Sequence, residues 1–286
     1  MMPHCALHAV QYEPIVRRAL EEDLGRAGDL TTDALVDPQN NAVAHIVARE
    51  AGHVAGLAPA LAAFSMLDAT LAIRCPVADG AAVEAATVLA TLTGPARAIL
   101  SAERVALNLL GRMCGIATAT ARAVAACKGT KATVVCTRKT APGLRMLDKY
   151  AVRMGGGGNH RFGLDDGILI KDNHIAAVGG IDTALARVKE RAGHMVKVEI
   201  EVDTLDQLDR VLALGGVDAV LLDNMSPDTM REAVRRVGGR FLTEASGGIT
   251  PERIAAVAAA GVDLISLGWL THSVKNFDVA LDFQYR

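Results

Sequence analysis

From residue 133 to residue 268 the chain repeats one unit: a short apolar strand, a polar carboxyl end, then an amphipathic helix. The strands predicted from this pattern are 133–137, 167–171, 196–202, 218–223, 240–245 and 263–268. Val198, Val220, Leu242 and Ile265 recur 22, 22 and 23 residues apart. That spacing accommodates a strand, two loops and a helix of about three turns. The intervening stripes suit helices: Ile181, Leu185, Val188; Leu205, Leu208, Leu212; Met230, Val234, Val237. Ser226-Pro227 and Thr250-Pro251 each offer an N-cap hydroxyl with proline at the first helical position. The pattern predicts a (β/α) barrel of at least six strands. A doubly wound open sheet is the alternative, because periodicity does not distinguish closure.

Polar residues gather at the predicted strand ends, where parallel α/β folds bind ligands. They are Arg138-Lys139, Lys171-Asp172-Asn173-His174, Glu201 with Asp203, Asp223-Asn224, Glu244 with Ser246, and Gly268 with His272. Arg138 and Lys139 follow the buried run Val134-Val135-Cys136-Thr137 and suggest an anionic substrate. Arginine offers a planar fork for carboxylate and lysine a point charge for phosphate. Lys197, Glu199 and Glu201 alternate with Val198, Ile200 and Val202, so these charges are expected to face one another or a ligand inside the barrel. Glu201, nearest the rim, is the better functional candidate. The turn Ser246-Gly247-Gly248-Ile249-Thr250-Pro251 joins a strand to a helix and suits a phosphate. Four glycines, Gly155 to Gly158, precede Asn159-His160-Arg161; a helix C-cap explains one of them, and a mobile loop over a ligand would explain the run.

The first part of the chain reads differently. A helix is expected from Pro14, with Ile15, Val16, Ala19, Leu20 and Leu24 as its stripe, followed by a polar turn at Asp29-Leu30-Thr31-Thr32. Residues 42–49 read as a strand in which His45 is a partly buried strand residue. Ala58 to Leu67 reads as a helix. Residues 71–92 read as short strands with a hairpin signal at Asp79-Gly80. Two helices then follow, about 96–111 and 116–127, with Arg104 projecting from an apolar edge. Lys128-Gly129-Thr130-Lys131 is a polar break. Mixed strands before that break and alternating units after it predict an α+β unit followed by an α/β unit.

Composition narrows the function classes. With 51% hydrophobic and 22% charged residues, the chain of 286 residues can bury a sizeable core. A formal net charge of −2 offers no general attraction to nucleic acid or acidic lipid, so any anion site is local. The five cysteines, Cys5, Cys75, Cys114, Cys127 and Cys136, form no C-x-x-C pair and no zinc spacing with histidine. A reduced, cytoplasmic setting is expected, with no signal peptide and no membrane span.

Several motifs together resemble the quinolinate phosphoribosyltransferase family. They are Thr137-Arg138-Lys139-Thr140, Leu147-Asp148-Lys149-Tyr150-Ala151-Val152, Gly155-Gly156-Gly157 with Asn159-His160-Arg161, and Lys171-Asp172-Asn173-His174. The similarity extends from Glu22-Asp23 and Gly28-Asp29-Leu30-Thr31-Thr32, through Glu103-Arg104 with Ala106-Leu107-Asn108, to Ser246-Gly247-Gly248-Ile249. Met113-Cys114 stands where Leu-Ser is expected, a change in packing. The resemblance implies an N-terminal α/β sandwich domain over 1–115, joined by a C-terminal tail, 273–286, and an open (β/α) barrel over 116–272 with seven strands, one more than the pattern gives. It implies joining quinolinate to phosphoribosyl pyrophosphate with Mg²⁺, releasing pyrophosphate and carbon dioxide. It implies a homodimer with shared active sites, sometimes associating further. By that resemblance Arg138, His160, Arg161 and Lys171 hold the substrate carboxylates, beside Thr137 and helped by Arg104 of a neighbouring subunit. Lys139 faces the pyrophosphate. Ser246, Gly247 and Gly248 face the 5′-phosphate, with Leu267 and Gly268 nearby. Glu201 and Asp223 hold ribose hydroxyls or Mg²⁺, directly or through substrate or water; with Lys139 they are the expected catalytic residues. The rival readings are a phosphoribosyltransferase that acts on nicotinate without decarboxylation, and an accessory paralogue such as the molybdenum-transport-associated relatives.

Overall fold

The computed structural model describes residues 6–285, so Cys5 lies outside the described residues. In chain order the elements are α1 (Ala9–Leu24), α2 (Leu30–Leu35), β1 (Asn41–Ala48), β2 (Gly52–His53), α3 (Leu57–Leu67), β3 (Ala72–Arg74), β4 (Ala82–Val83), β5 (Val88–Pro95) and α4 (Ala96–Ala126). Then come β6 (Thr133–Val135), α5 (Arg145–Met154), β7 (Ile168–Ile170), α6 (Asp172–Val178), α7 (Ile181–Arg191), β8 (Val198–Val202), α8 (Leu205–Leu214), β9 (Ala219–Asp223), α9 (Pro227–Val237) and β10 (Leu242–Ser246). A 3₁₀ turn, Pro251–Arg253, leads into α10 (Ile254–Ala259), β11 (Leu264–Ser266), α11 (Trp269–His272) and β12 (Val279–Tyr285). They form two compact units. One comprises the chain up to Ala121, Thr140–Gly156 and the segment from Trp269; the other comprises Arg122–Lys139 and Gly157–Gly268.

The first unit contains an antiparallel sheet in the order β12-β1-β5-β3 and a small pair, β2 with β4. His45 on β1 is half-buried opposite Thr91, with Nδ1 3.1 Å from its hydroxyl, as expected of a strand residue. Four local expectations fail here for identifiable reasons. Helix α1 starts at Ala9, with Pro14 inside it. The carbonyl that Pro14 leaves without a donor belongs to Val10, which is exposed, so solvent can satisfy it. The expected polar turn at Asp29 is the start of α2: the Asp29 carboxylate caps it by accepting from Thr32 N–H at 2.9 Å. Asp79-Gly80 makes no hairpin, because β3 pairs with β5 whereas β4 pairs with β2. Asp79 instead accepts from Leu57 N–H at 3.1 Å and from the Tyr150 hydroxyl at 2.7 Å. The two expected helices after Pro95 are one, the 31-residue α4. Its glycines are contact points, not breaks. A Cβ on Gly115 would lie 2.3 Å from the Lys275 carbonyl, and one on Gly111 would lie 3.0 Å from the Phe277 carbonyl. Cys114, where serine was expected, accepts from Ala55 N–H at 3.3 Å, and burial pushes its thiol up to about 12. Arg112 forks onto the fully buried Asp148 at 2.8 and 2.7 Å, fastening α5 to α4.

The second unit answers the question of closure. Its six strands are parallel, in the order β6-β11-β10-β9-β8-β7. Each strand lies beside its successor except at one seam, and the last pairs with the first: Ile265 with Val134. That is the cyclic order of a barrel, whereas a doubly wound sheet reverses at a switch point. The seam falls between β6 and β7. There Gly158 bridges Val135 in parallel, with Gly158 N–H to the Val134 carbonyl at 2.8 Å and Cys136 N–H to the Gly158 carbonyl at 3.2 Å. Gly158 thus stands where a seventh strand would, for one residue. Close approach also accounts for Gly155, whose Cβ would lie 2.3 Å from the Ala117 carbonyl.

Paired positions share a face, so Glu199, Glu201, Asp223, Glu244 and Ser246 point one way and Ile200, Val202, Val220, Leu222 and Ala245 the other. The second set is fully buried. Lys197 departs from the expected inward set. It precedes β8, is exposed, and pairs with Asp218 at 2.5 Å at the amino end of the strands. Ser226 caps α9 as expected, accepting from Thr229 N–H at 3.1 Å. Thr250 makes no such side-chain cap, and its segment opens as the 3₁₀ turn.

Candidate active site

The inward face of the barrel carries two acidic clusters at two depths. The deeper one joins Glu199, Glu244 and His160, whose ligand atoms lie within 4.8 Å of one another. His160 follows the Gly158 bridge into the interior. Its Nδ1 accepts from Arg161 N–H at 2.8 Å, which leaves the ring proton on Nε2. Nε2 then donates to Glu199 Oε2 at 2.9 Å and lies 3.7 Å from Glu244 Oε1. Glu244 is 1% exposed. Burial first, then the Glu199 charge, raises its carboxyl to about 7.

The second cluster lies at the carboxyl ends of β8 and β9. Glu201, Asp203 and Asp223 bring one carboxylate oxygen each within 4.8 Å of the others. Lys171, at the end of β7, pairs with Glu201 at 2.8 Å. Burial raises the Asp223 carboxyl and Asp203 adds to this; Lys171, a hydrogen bond from Asn224, and Lys139 oppose it. Both lysines therefore act on the same carboxylate, although they come from opposite sides of the seam.

The cations form a third group. Burial lowers the Arg161 guanidinium and the nearby charge of Arg138 adds to that effect. Asp166 and Glu199 oppose it, and two neighbouring guanidinium groups suit an anionic ligand. Arg161 is held from behind by the Gly167 carbonyl at 2.7 Å. Lys139 follows the turn in which its N–H donates to the Thr137 hydroxyl at 3.0 Å. Ser246 ends β10 opposite Asp223, and Gly247 and Gly248 both have positive φ, 86° and 55°. Leu267 is buried with its N–H on the Val135 carbonyl at 3.0 Å, placing Gly268 at the end of β11.

The barrel unit therefore gathers Thr137, Arg138, Lys139, His160, Arg161, Lys171, Glu201, Asp223, Ser246, Gly247, Gly248, Leu267 and Gly268. Arg104 belongs to the other unit. Its side chain is 65% exposed, and Glu103 lies 3.8 Å away. His174 turns back to accept from Lys171 N–H at 2.9 Å. Sequence reasoning gave no role to Asp203 or Asn224. A carboxylate two residues beyond Glu201 signalled the first, and an Asp-Asn pair closing a strand signalled the second.

Comparison with known proteins identifies the family. The model of the quinolinate phosphoribosyl transferase N-terminal domain matches residues 29–114, and that of the C-terminal domain matches residues 116–282. A probable nicotinate-nucleotide pyrophosphorylase [carboxylating] of Bacillus subtilis is 46% identical over 96% of this chain and 94% of its own. The Mycobacterium leprae protein of that name is 44% identical over 99% of this chain and its own full length. The crystal structure of NadC from Streptococcus pyogenes superposes with a TM-score of 0.94 at 38% identity, covering 99% of each chain. The chain belongs to the quinolinate phosphoribosyltransferase family.

Proposed function

We propose that this chain transfers the phosphoribosyl group of phosphoribosyl pyrophosphate to the ring nitrogen of quinolinate with loss of carbon dioxide, giving nicotinate mononucleotide and pyrophosphate. The observation that carries the reading is the nearness of Arg138, after β6, to Arg161, after the Gly158 bridge, beside a separate carboxylate cluster. The cations suit a substrate with two adjacent carboxylates, and Lys171 adds a third positive group. His160 orders Arg161 through its backbone N–H while engaging Glu199. Lys139 suits the leaving pyrophosphate. The positive-φ turn at Gly247 and Gly248 suits the 5′-phosphate, because it presents backbone without a Cβ in the way.

Glu201 and Asp223 stabilise positive charge that develops on the sugar as pyrophosphate departs. A bond then forms from the ring nitrogen to the sugar carbon, leaving the ring cationic. The adjacent carboxylate leaves as carbon dioxide. Its bonding electrons remain on the ring carbon, next to the cationic nitrogen, and that carbon takes up a proton. Glu201, Asp203 and Asp223 fit Mg²⁺ as hard oxygen donors grouped within 4.8 Å. Bound there it would offset the charge of the pyrophosphate.

Arg104, exposed on α4 with Glu103 3.8 Å away, is available to a neighbouring subunit's site, which favours a homodimer with shared active sites. Among the described residues no helix is long and apolar enough to cross a membrane, and we place the activity in the cytoplasm. Assays with quinolinate or nicotinate, each with phosphoribosyl pyrophosphate and Mg²⁺, test the reading. Turnover with carbon dioxide release is expected for quinolinate alone. Turnover of nicotinate alone would favour the non-decarboxylating transferase, and turnover of neither would favour an accessory paralogue.

A further inference from the structure

The last residue of β9 and the glycine turn after β10 meet at a single side chain, Asn224. Its N–H extends the ladder to the Ser246 carbonyl at 3.0 Å. Its φ is 53°, in the left-handed region that few residues other than glycine and asparagine occupy. This backbone turn folds the amide back over the strand end. Nδ2 donates to Asp223 Oδ2 at 2.5 Å. The other end of the same amide, Oδ1, lies 2.3 Å from where a Cβ on Gly247 would be. One planar group thus touches a carboxylate on one side and the backbone of the turn on the other. We propose that Asn224 is a positioning residue that locks the Asp223 carboxylate and the Ser246–Gly248 turn into one register.

The inference rests on the roles proposed above for Asp223 and for the turn, and adds a link between them. A glycine at 224 would supply the backbone conformation without strain. The amide adds what glycine cannot supply, a donor to Asp223 and an oxygen that fills the space against Gly247. Loss of the amide frees the Asp223 side chain to rotate and leaves the turn without its neighbour. Ground-state binding of quinolinate at Arg138 and Arg161 should be untouched, because Asn224 engages Asp223 and Ser246 at the ends of β9 and β10, whereas Arg138 follows β6 and Arg161 follows the Gly158 bridge.

The test uses the full-length protein with Asn224→Gly and Asn224→Asp. The first keeps the backbone conformation and removes the side chain; the second keeps the length and removes the donor. Melting temperatures, kcat, KM for phosphoribosyl pyrophosphate and calorimetric Kd for quinolinate are compared with wild type. Both variants are expected to fold, with kcat reduced about tenfold or more, KM for phosphoribosyl pyrophosphate raised, and quinolinate Kd within about twofold. Wild-type kcat in Asn224→Gly would overturn the proposal and leave a backbone turn only. Parallel loss of quinolinate affinity, or failure of both variants to fold, would also overturn it, since the role would then be structural. Asp223→Asn is measured alongside. If it is inactive while Asn224→Gly is normal, only the link fails; if both are normal, the proposed role of Asp223 fails with it.

Discussion

Glu199 and Glu201 stand two residues apart on one strand and one face, yet they belong to different chemistries. Exposure does not separate them: their side chains are 12% and 10% exposed. Countercharge does. Glu201 meets Lys171 at 2.8 Å, and Asp223 beside it is influenced by Lys139 as well. Glu199 meets an imidazole whose tautomer is set by Arg161 N–H, and a second, almost fully buried carboxyl, Glu244. Burial and the Glu199 charge hold the Glu244 carboxyl up at about 7, so Glu244 takes up a proton far more readily than an ordinary glutamate. At the rim Lys171 and Lys139 favour the charged form of Asp223, and the cluster can hold a cation or face one as it forms. One barrel thus uses glutamate on the same face both beside a histidine and a buried carboxyl and beside lysines at the rim.

The largest effect expected from this contrast is at the rim. Glu201→Gln and Asp223→Asn should each lower kcat by about 10²–10³-fold, the scale of losing a preorganised electrostatic group. Quinolinate affinity should change little, because the charge matters most when the sugar becomes cationic. Steady-state kinetics with calorimetric binding of quinolinate would check this, and unchanged kcat in both variants would remove the distinction between the clusters. Next in size is Arg138→Ala. Loss of a charge-assisted fork on a substrate carboxylate should cost about 2–4 kcal/mol of quinolinate binding. The fold should be nearly unaffected, since Arg138 follows the strand rather than packing within it. Near-normal affinity by calorimetry would sink the assignment.

A smaller effect is expected at Glu244. Its carboxyl titrates at about 7 in the folded chain against an ordinary value of 4.5. Between these values the native state holds a proton that the unfolded chain has lost, so stability falls as pH rises through that window. Glu244→Gln is neutral throughout and should lose this part of the slope. Urea midpoints at about pH 5 and about pH 8 would then differ less in the variant than in wild type. Equal differences would mean that the deep cluster is ionised, and the contrast with the rim would fail.

The barrel was legible because its signal is long: six strands, the last four at a near-constant spacing, leave few architectures, and the pairing of β11 with β6 settles the remaining choice. The rim was legible for the same reason, since strand ends can be located once the strands are. What escaped depended on residues distant in sequence. Gly111 and Gly115 look like helix breaks until Lys275 and Phe277 are placed against them. Asp79-Gly80 looks like a hairpin until β2 and β5 take its flanking strands. The deep cluster escaped because nothing local joins His160 to Glu199 and Glu244. Only barrel closure brings the end of the glycine run to β8 and β10.

The alternation Lys197, Glu199, Glu201 shows where a pattern outruns the structure, and it yields the smallest expected effect. Period-two spacing places all three on one face only if the strand covers all three. It begins at Val198, so Lys197 lies outside, 81% exposed, and its partner Asp218 also accepts from Val198 N–H at 2.8 Å. Asp218 therefore keeps a backbone donor when the lysine is removed. Lys197→Ala should cost no more than about 1 kcal/mol, as for exposed ion pairs generally, and less at high salt. Its kcat should match wild type, in contrast to Glu201→Gln four residues on. A kcat loss in Lys197→Ala comparable to that of Glu201→Gln would restore the inward reading of all three charges. It would also require the strand to begin earlier than Val198, which hydrogen exchange at residues 196–198 would reveal independently.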